Sequence, residues 1–177
     1  KSSLINNLLG QRSARRGKTP GLTEHIFAYG LPQNKPFLYL LDFPGIGFAQ
    51  GGAKREARLR KLMSQFLARY AGRLHMGIFL HDGRRAAELY GKGQKASTHE
   101  SLETEWLAEL FGYQLPVLLV LTKVDKLSRK ELDRAAQGAA AYYEVASEDL
   151  FLVSNKERKG IDELRSFLLE QSGETLS

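Results

Sequence analysis

The chain has 177 residues, of which 42% are hydrophobic and 26% charged, and it contains no cysteine. This balance is typical of one globular domain, and the lack of cysteine excludes disulfides and thiolate metal sites. The longest apolar stretch, residues 115–121, is far shorter than the roughly 20 residues of a membrane helix. We therefore expect no membrane span and a cytoplasmic location. The net charge of +6 suits either a solvated surface or a polyanionic partner.

Apolar runs alternate with segments of helical periodicity, which predicts an α/β fold with a mostly parallel sheet flanked by helices. Residues 2–9 form the first predicted helix, and residues 10–23 form a loop. The later predicted helices are 54–70, 100–111, 128–143 and 161–171, the strands are 24–29, 36–41, 74–81, 116–121 and 150–153, and residues 83–97 form an exposed basic excursion.

Four short motifs of guanine-nucleotide sites follow one another along the chain. Each is weak alone, but the last three each end an apolar run where a strand should end, and together they indicate a GTPase. The motifs are Lys1-Ser2, which matches the end of a phosphate-binding loop G-x-x-x-x-G-K-[ST], then Asp42-Phe43-Pro44-Gly45, Thr122-Lys123-Val124-Asp125 and Val153-Ser154-Asn155.

The first motif begins at its lysine. A phosphate-binding loop follows a strand, because the carboxyl end of that strand directs the loop and the next helix towards the phosphates. No strand precedes Lys1 in this sequence. We therefore expect residues 1–171 to be a single GTP-binding domain without its first strand, part of a longer chain, with a tail at residues 172–177.

The first two motifs predict the phosphate and magnesium contacts. Lys1 would neutralise the β and γ oxygens, and the Ser2 hydroxyl would bind Mg²⁺. Asp42 would hold Mg²⁺ through water, and the Gly45 N–H would reach the γ-phosphate. The alternatives are a chance K-S-S tripeptide and an aspartate that caps a turn.

Two further positions bear on metal binding and hydrolysis. Thr19 and Thr23 lie in the loop after the first helix, and either hydroxyl is a candidate Mg²⁺ ligand; the alternative is a plain Pro-Gly turn. Some GTPases have a water-orienting glutamine where this chain has Ile46. An apolar side chain cannot orient the attacking water, so we expect slow hydrolysis.

Base selection is predicted to depend on Asp125. Its two oxygens can accept from guanine N1–H and the exocyclic amine, a donor pair that adenine lacks. The stem of Lys123 would cover one face of the base, and backbone N–H groups of Ser154 and Asn155 would reach guanine O6. Helix capping is the alternative role for Asp125 and Ser154.

Longer strings around these motifs give a more specific pattern. They are 18–23 (KTPGLT), 42–49 (DFPGIGFA), 122–126 (TKVDK) and 154–155 (SN) before 160–162 (GID). They resemble the EngB (YihA) family of bacterial GTPases, which belongs to the Era-like group of TRAFAC-class P-loop GTPases, over essentially the whole chain.

This resemblance implies a P-loop NTPase fold and a GTP-hydrolysing switch in assembly of the large ribosomal subunit, linked to cell division and septation. It implies GTP, GDP, Mg²⁺ and the large-subunit precursor, with its rRNA and ribosomal proteins, as ligands and partners of a monomer. Binding of K⁺ stays open. In the family pattern Thr23, not Thr19, is the metal-binding threonine, and the nucleotide is lined by Gly21, Leu22, Thr23, Glu24 and His25.

Two other functions stay open at this point. One is an Era-like GTPase that acts on tRNA modification or on the division machinery, and the other is an interaction module without nucleotide. Basic clusters lie beside the loop after the first helix and the loop after the second motif, which we expect to act as switch loops. They favour a contact with ribosomal RNA, which we expect to include Arg55, Arg58 and Lys61. The clusters are Arg12, Arg15, Arg16 and Lys18, then Lys54, Arg55, Arg58, Arg60 and Lys61, and then Arg84, Arg85, Lys92 and Lys95.

Overall fold

A computed structural model describes residues 1–10, 25–32, 37–45, 52–91, 98–146 and 149–171. Several predictions fall outside these described residues. They are the loop after residue 10 with Thr19, Gly21, Leu22, Thr23 and Glu24, as well as Ile46, Lys92, Lys95 and the tail at 172–177.

The strands among the described residues form two sheets. β1 (Phe27–Leu31) and β2 (Leu38–Asp42) pair antiparallel, with Phe27 opposite Asp42. β3 (Gly77–Asp82), β4 (Val117–Thr122) and β5 (Leu150–Val153) form a parallel sheet in that order. Parallel strands bring their carboxyl ends to one edge, so the residues after β4 and β5 lie together there.

Six α-helices cover these sheets in the part of the chain that the structure describes. Helix α5 begins with a capping box, in which the Glu131 backbone N–H donates to the Ser128 hydroxyl and the Ser128 N–H donates to the Glu131 carboxylate. This pairing satisfies two backbone donors that a helix start leaves open. The helices are α1 (Ser2–Leu9), α2 (Gly52–Tyr70), α3 (Gly83–Gly91), α4 (Thr98–Gly112), α5 (Arg129–Tyr143) and α6 (Ile161–Glu170).

Two hydrophobic clusters cover opposite faces of β4. Leu118 and Val120 pack with α1 and α6 and with Leu40 of β2. Leu119 and Leu121 pack with α3, α4 and α5. The run from Val117 to Leu121 is buried throughout, which is typical of a strand covered by helices on both faces. The predicted parallel sheet flanked by helices is therefore confirmed.

The predicted basic excursion at residues 83–97 is wrong in its first part, because residues 83–91 form α3. The run R-R-A-A-E-L consists of good helix formers. Ala86 is fully buried in the cluster that contains Ala135 and Ala139 of α5. Small side chains allow two helices to approach closely, and that packing outweighs the glycines and cations that favoured a loop.

The first three strands begin two or three residues later than predicted, whereas the last two lie within one residue of their predicted bounds. The first strand begins at Phe27 because its hydrogen-bonded register runs from Phe27 opposite Asp42 to Leu31 opposite Leu38. The third begins at Gly77, because Leu74 packs in the cluster around α2 instead. No helix among the described residues has the length and apolarity to cross a membrane.

Helix α2 packs on α4 through one apolar stripe. Leu59, Met63 and Leu67 are four residues apart and are buried with Trp106, as expected for one face of a helix. Arg55 lies on the same side and is only 6% exposed. Its predicted contact with RNA is therefore wrong, whereas three other basic residues of α2, Lys54, Arg58 and Lys61, are exposed.

Candidate functional site

The first two motifs meet at the start of α1. Lys1 directly precedes this helix, and its Nζ lies 2.9 Å from Asp42 Oδ1. The same ammonium donates to the carbonyl of Phe43. The structure thus brings the predicted phosphate-binding lysine to the end of β2. Pro44 is buried and Gly45 is exposed, so the Gly45 backbone can be reached from solvent.

The donor set at this edge suits magnesium. Ser2 is the first residue of α1 and Asp42 the last of β2, and both adjoin Lys1. Mg²⁺ binds through few protein oxygens and keeps waters and phosphate oxygens as its other ligands, so one hydroxyl and one carboxylate fit it. Within the described ranges, no three His, Asp or Glu side chains form a cluster that could hold a metal by themselves.

The second motif also contacts α2. The ring of Phe43 meets that of Phe66 edge to face, with centroids 5.0 Å apart. Phe66 in turn lies 5.0 Å from Tyr70. A displacement of the backbone between Asp42 and Gly45 would therefore shift helix α2 through this ring contact.

The third motif turns sharply after β4. Thr122 ends the strand, and its hydroxyl donates to the His81 carbonyl of β3 at 3.1 Å. Lys123 has a left-handed backbone with φ of 60°, which is uncommon for a residue other than glycine. Val124 is buried. This turn anchors the short 3₁₀ helix Val124–Lys126 that carries Asp125.

Asp125 is held by the fourth motif. The Ser154 hydroxyl donates to Asp125 Oδ1 at 2.7 Å and accepts from the Glu157 N–H at 3.1 Å. The hydrogen bond from Ser154 lowers the pKa of Asp125, so its carboxylate is ionised at neutral pH. Ser154 is fully buried after Val153, the last residue of β5. An oriented, ionised carboxylate is the acceptor that guanine N1–H and N2–H require.

The backbone N–H of Ser154 was predicted to reach guanine O6, but it has a partner within the protein. The Ser154 N–H donates to the Lys159 carbonyl at 3.0 Å, so it is engaged within the protein. The side chain of Asn7 donates to the Asn155 carbonyl at 3.1 Å and to its side-chain oxygen at 3.0 Å. The contact of the Asn155 N–H with guanine O6 stays a prediction.

Sequence reasoning missed three residues of this site. Asn7 joins α1 to the loop after β5, Asp82 contacts Lys123, and Glu157 supports Ser154. None belongs to a motif, so no sequence signal marks them. Of the residues predicted to line the nucleotide after the first helix, Gly21 to His25, only His25 is described. It is exposed and its ring lies 6.5 Å from that of Phe27.

His81 is a buried titratable residue next to this edge. Its Nδ1 lies 3.3 Å from the Tyr143 hydroxyl. Burial, reinforced by the charge of Arg85 and opposed by Asp82, lowers the pKa of His81 to about 4. The unfolded chain, with a histidine pKa of about 6.5, therefore binds a proton that the folded protein excludes. Stability should be complete above that pH and should fall as the pH drops towards 4.

We expect the free energy of unfolding of the unsubstituted protein to fall by about 2 kcal/mol more between pH 7 and pH 5 than that of His81→Gln. Glutamine cannot take up the proton, and it retains polar atoms for Tyr143. Urea unfolding at both pH values measures the difference. The same pH dependence in both proteins would contradict this assignment.

Together, the parallel sheet, the helix that begins beside Lys1 and Asp42, and the Asp125–Ser154 pair define a GTPase domain of the P-loop class. A family model described as "50S ribosome-binding GTPase" matches residues 1–156. The chain belongs to the EngB family of GTP-binding proteins, as its motifs predicted. It is 30% identical over 169 residues to the probable GTP-binding protein EngB of Aquifex aeolicus, with 96% of this chain and 83% of the relative covered.

A second relative and a solved structure of an EngB protein support the same family. Identity to the probable GTP-binding protein EngB of Thermosipho africanus is 31% over 166 residues, with 93% of this chain and 76% of the relative covered. A crystal structure of a probable GTP-binding protein EngB matches with a TM-score of 0.75 and 25% identity, covering 99% and 94% of the two chains. Translation elongation factor SelB of Methanococcus maripaludis, at 16% identity and a TM-score of 0.59, shares the fold; the match covers 100% of this chain and 32% of SelB.

Proposed function

We propose that this protein binds GTP with Mg²⁺, hydrolyses it slowly, and acts as a monomeric cytoplasmic switch in assembly of the large ribosomal subunit. The observation that carries the proposal is the Asp125 carboxylate, which Ser154 orients at the edge where β4 and β5 end. The ribosomal role and the link to cell division and septation follow from the resemblance to EngB.

The phosphates would lie at the start of α1. Lys1 would neutralise their oxygens, and the helix N-terminus would add backbone donors. The hydroxyls of Ser2 and Thr23 would bind Mg²⁺ directly and Asp42 through water. Mg²⁺ supplies neutralisation of the charge on the phosphate oxygens. With Ile46 unable to orient water, the rate of hydrolysis should be low; K⁺ as a second ion stays open.

The switch would act through the contact between the second motif and α2. Binding of the γ-phosphate orders the segment that contacts it, and hydrolysis releases that segment. Phe43 adjoins Asp42 and packs on Phe66 of α2. A change at Asp42 and Gly45 would therefore alter the position of α2, which presents a basic face to solvent.

That basic face is the proposed contact with ribosomal RNA. Lys54, Arg58 and Lys61 are spaced at four and three residues, so they share one side of α2, and all three are exposed. Arg60 is directed elsewhere, because it pairs with Glu105 of α4. Exposed lysine and arginine side chains bind phosphates with an affinity that falls steeply with salt.

We expect the triple reversal Lys54→Glu, Arg58→Glu and Lys61→Glu to abolish GTP-dependent co-sedimentation with large-subunit particles while GTP affinity stays unchanged. Each removed cation should lower the slope of log affinity against log salt by about one. A matched control reverses three exposed basic residues of α5, Arg129, Lys130 and Arg134, and should still co-sediment.

Co-sedimentation with GDP, with a non-hydrolysable GTP analogue and without nucleotide also separates the alternatives. Association only with the analogue supports the switch. Association regardless of nucleotide indicates an interaction module, and GTP binding without association favours tRNA modification or the division machinery. If the α2 variant sediments like the α5 control across a salt series, the basic face of α2 is not the docking surface.

A further inference from the structure

Asp82 lies at the same edge as the base-recognition motif but outside every nucleotide motif. It ends β3 and is paired in register with Thr122, the last residue of β4. Its Oδ2 lies 2.6 Å from Lys123 Nζ. Because β3 and β4 are adjacent parallel strands, this contact joins the end of one strand to the turn that follows the other.

The Asp82 carboxylate is itself held in place. Its Oδ1 accepts from the Arg84 backbone N–H at 3.0 Å, at the start of α3, and lies 3.7 Å from Arg84 Nε. Gly83, between them, packs so closely on β4 that an added Cβ would lie 3.0 Å from the Thr122 carbonyl oxygen. Asp82 is therefore a fixed anchor, whereas the side chain of Lys123 is long and about half exposed.

The energetics indicate what this contact does. A partly exposed ion pair adds little to folding stability. Stabilisation of the fold therefore does not account for this contact. A free lysine side chain loses much conformational entropy when a ligand orders it. A lysine already held by its ammonium group has lost that freedom before the ligand arrives, and preorganisation of this kind raises affinity.

We propose that Asp82 is a positioning residue for nucleotide binding, which holds the Lys123 ammonium so that the methylene stem is ready to cover one face of the guanine base. This inference rests on the proposed function. Asp125 would accept hydrogen bonds from the edge of the base, and the Asp82–Lys123 pair would preorganise the side chain that covers its face. Since GTP and GDP carry the same base, both should gain equally from Asp82.

The test is Asp82→Asn in the full-length protein, with affinities for GTP and GDP measured by competition against a fluorescent guanine nucleotide. Asparagine keeps an oxygen that can accept from the Arg84 N–H, so the start of α3 is preserved, but it removes the charge that holds Lys123. We expect about five- to tenfold weaker binding of both nucleotides, by the same factor. The melting temperature should be unchanged.

A double-mutant cycle separates positioning from a structural role. In the Lys123→Ala background there is no stem to position, so adding Asp82→Asn should change affinity by no more than about twofold. A role confined to α3 would reduce affinity equally in both backgrounds. Glu105→Gln is the control, because it breaks another exposed ion pair, with Arg60, that contains no residue of the nucleotide motifs, and it should bind GTP normally.

The possible results distinguish failure of the role of Asp82 from failure of the proposed function. Unchanged GTP affinity in Asp82→Asn, or a loss that persists with Lys123→Ala, overturns the role of Asp82 and leaves the proposed function standing. Failure of the unsubstituted protein to bind GTP overturns the proposed function and this inference with it.

Discussion

Asp125→Asn is expected to weaken GTP binding by about 100-fold and to admit xanthosine triphosphate. An ionised carboxylate accepts from both guanine N1–H and the exocyclic amine. The amide presents one oxygen and one N–H₂ group, so one guanine donor meets another donor. Xanthine carries an oxygen in place of that amine, and the amide can donate to it whereas the carboxylate repels it.

The structure sharpens this expectation through Ser154. The hydroxyl of Ser154 donates to Asp125 Oδ1 and accepts from the Glu157 N–H. In the variant we expect this hydroxyl to donate to the amide oxygen, which would place the N–H₂ group at the position of the other carboxylate oxygen. Ser154, which the substitution does not touch, therefore favours one orientation of the amide.

The experiment compares GTP and xanthosine triphosphate by competition with a labelled nucleotide in the full-length protein. Ser154→Ala is the matched control. It removes the orienting hydroxyl but leaves the carboxylate, so we expect GTP affinity to fall by about tenfold without any gain for xanthosine triphosphate. An Asp125→Asn variant that keeps the original preference for GTP would show that Asp125 does not read the base.

Local patterns in the sequence predicted the parts of the fold that local physics decides. The bounds of α1 follow from an amphipathic run that ends at Gly10, which has a φ of 73°. The strand that ends at Thr122 was predictable because its apolar run is too long to lie on the protein surface. Helix α3 was missed because its stability comes from contact with α5, and the partner residues Ala135 and Ala139 are about 50 positions away in the chain.

The same distinction holds in the site. Asp125 was predictable from its motif, but the contact that fixes its orientation comes from Ser154, 29 positions later. Lys123 was predicted from its motif to cover the base, yet its partner Asp82 is 41 positions earlier. Asn7 and Asn155 are separated by 148 positions. Tertiary packing of strands and helices brings these pairs together, and no local pattern encodes it.

Gly160, which lies after the fourth motif and directly before α6, gives the largest expected effect on stability. Its φ is 69°, and a Cβ added there would lie 2.2 Å from the Leu152 carbonyl oxygen and 3.2 Å from the carbonyl carbon. Backbone atoms of a paired strand cannot move aside as a flexible side chain can. Gly160→Ala must therefore separate the start of α6 from β5, next to the bridge between Ser154 and Lys159.

A series of glycine-to-alanine variants separates the two causes of this effect. Gly72 has an ordinary φ and open space around it, whereas Gly10 has a φ of 73° and also open space. We expect the free energy of unfolding to change by no more than about 0.5 kcal/mol in Gly72→Ala. In Gly10→Ala we expect it to fall by about 1–2 kcal/mol, because alanine must adopt the left-handed backbone there without any clash. Gly160→Ala adds the clash, so we expect a loss above about 3 kcal/mol.

Urea unfolding of the three variants measures these differences, and GTP affinity supplies the functional consequence. Since Gly160 packs on the backbone of β5 just before Ser154, the shift that relieves the clash should displace the hydroxyl that orients Asp125. Gly160→Ala should therefore bind GTP less tightly than Gly10→Ala or Gly72→Ala under conditions where all three are folded. A Gly160→Ala variant as stable as Gly10→Ala would mean that β5 and α6 can separate without loss, and the rigid support inferred for Ser154 would be wrong.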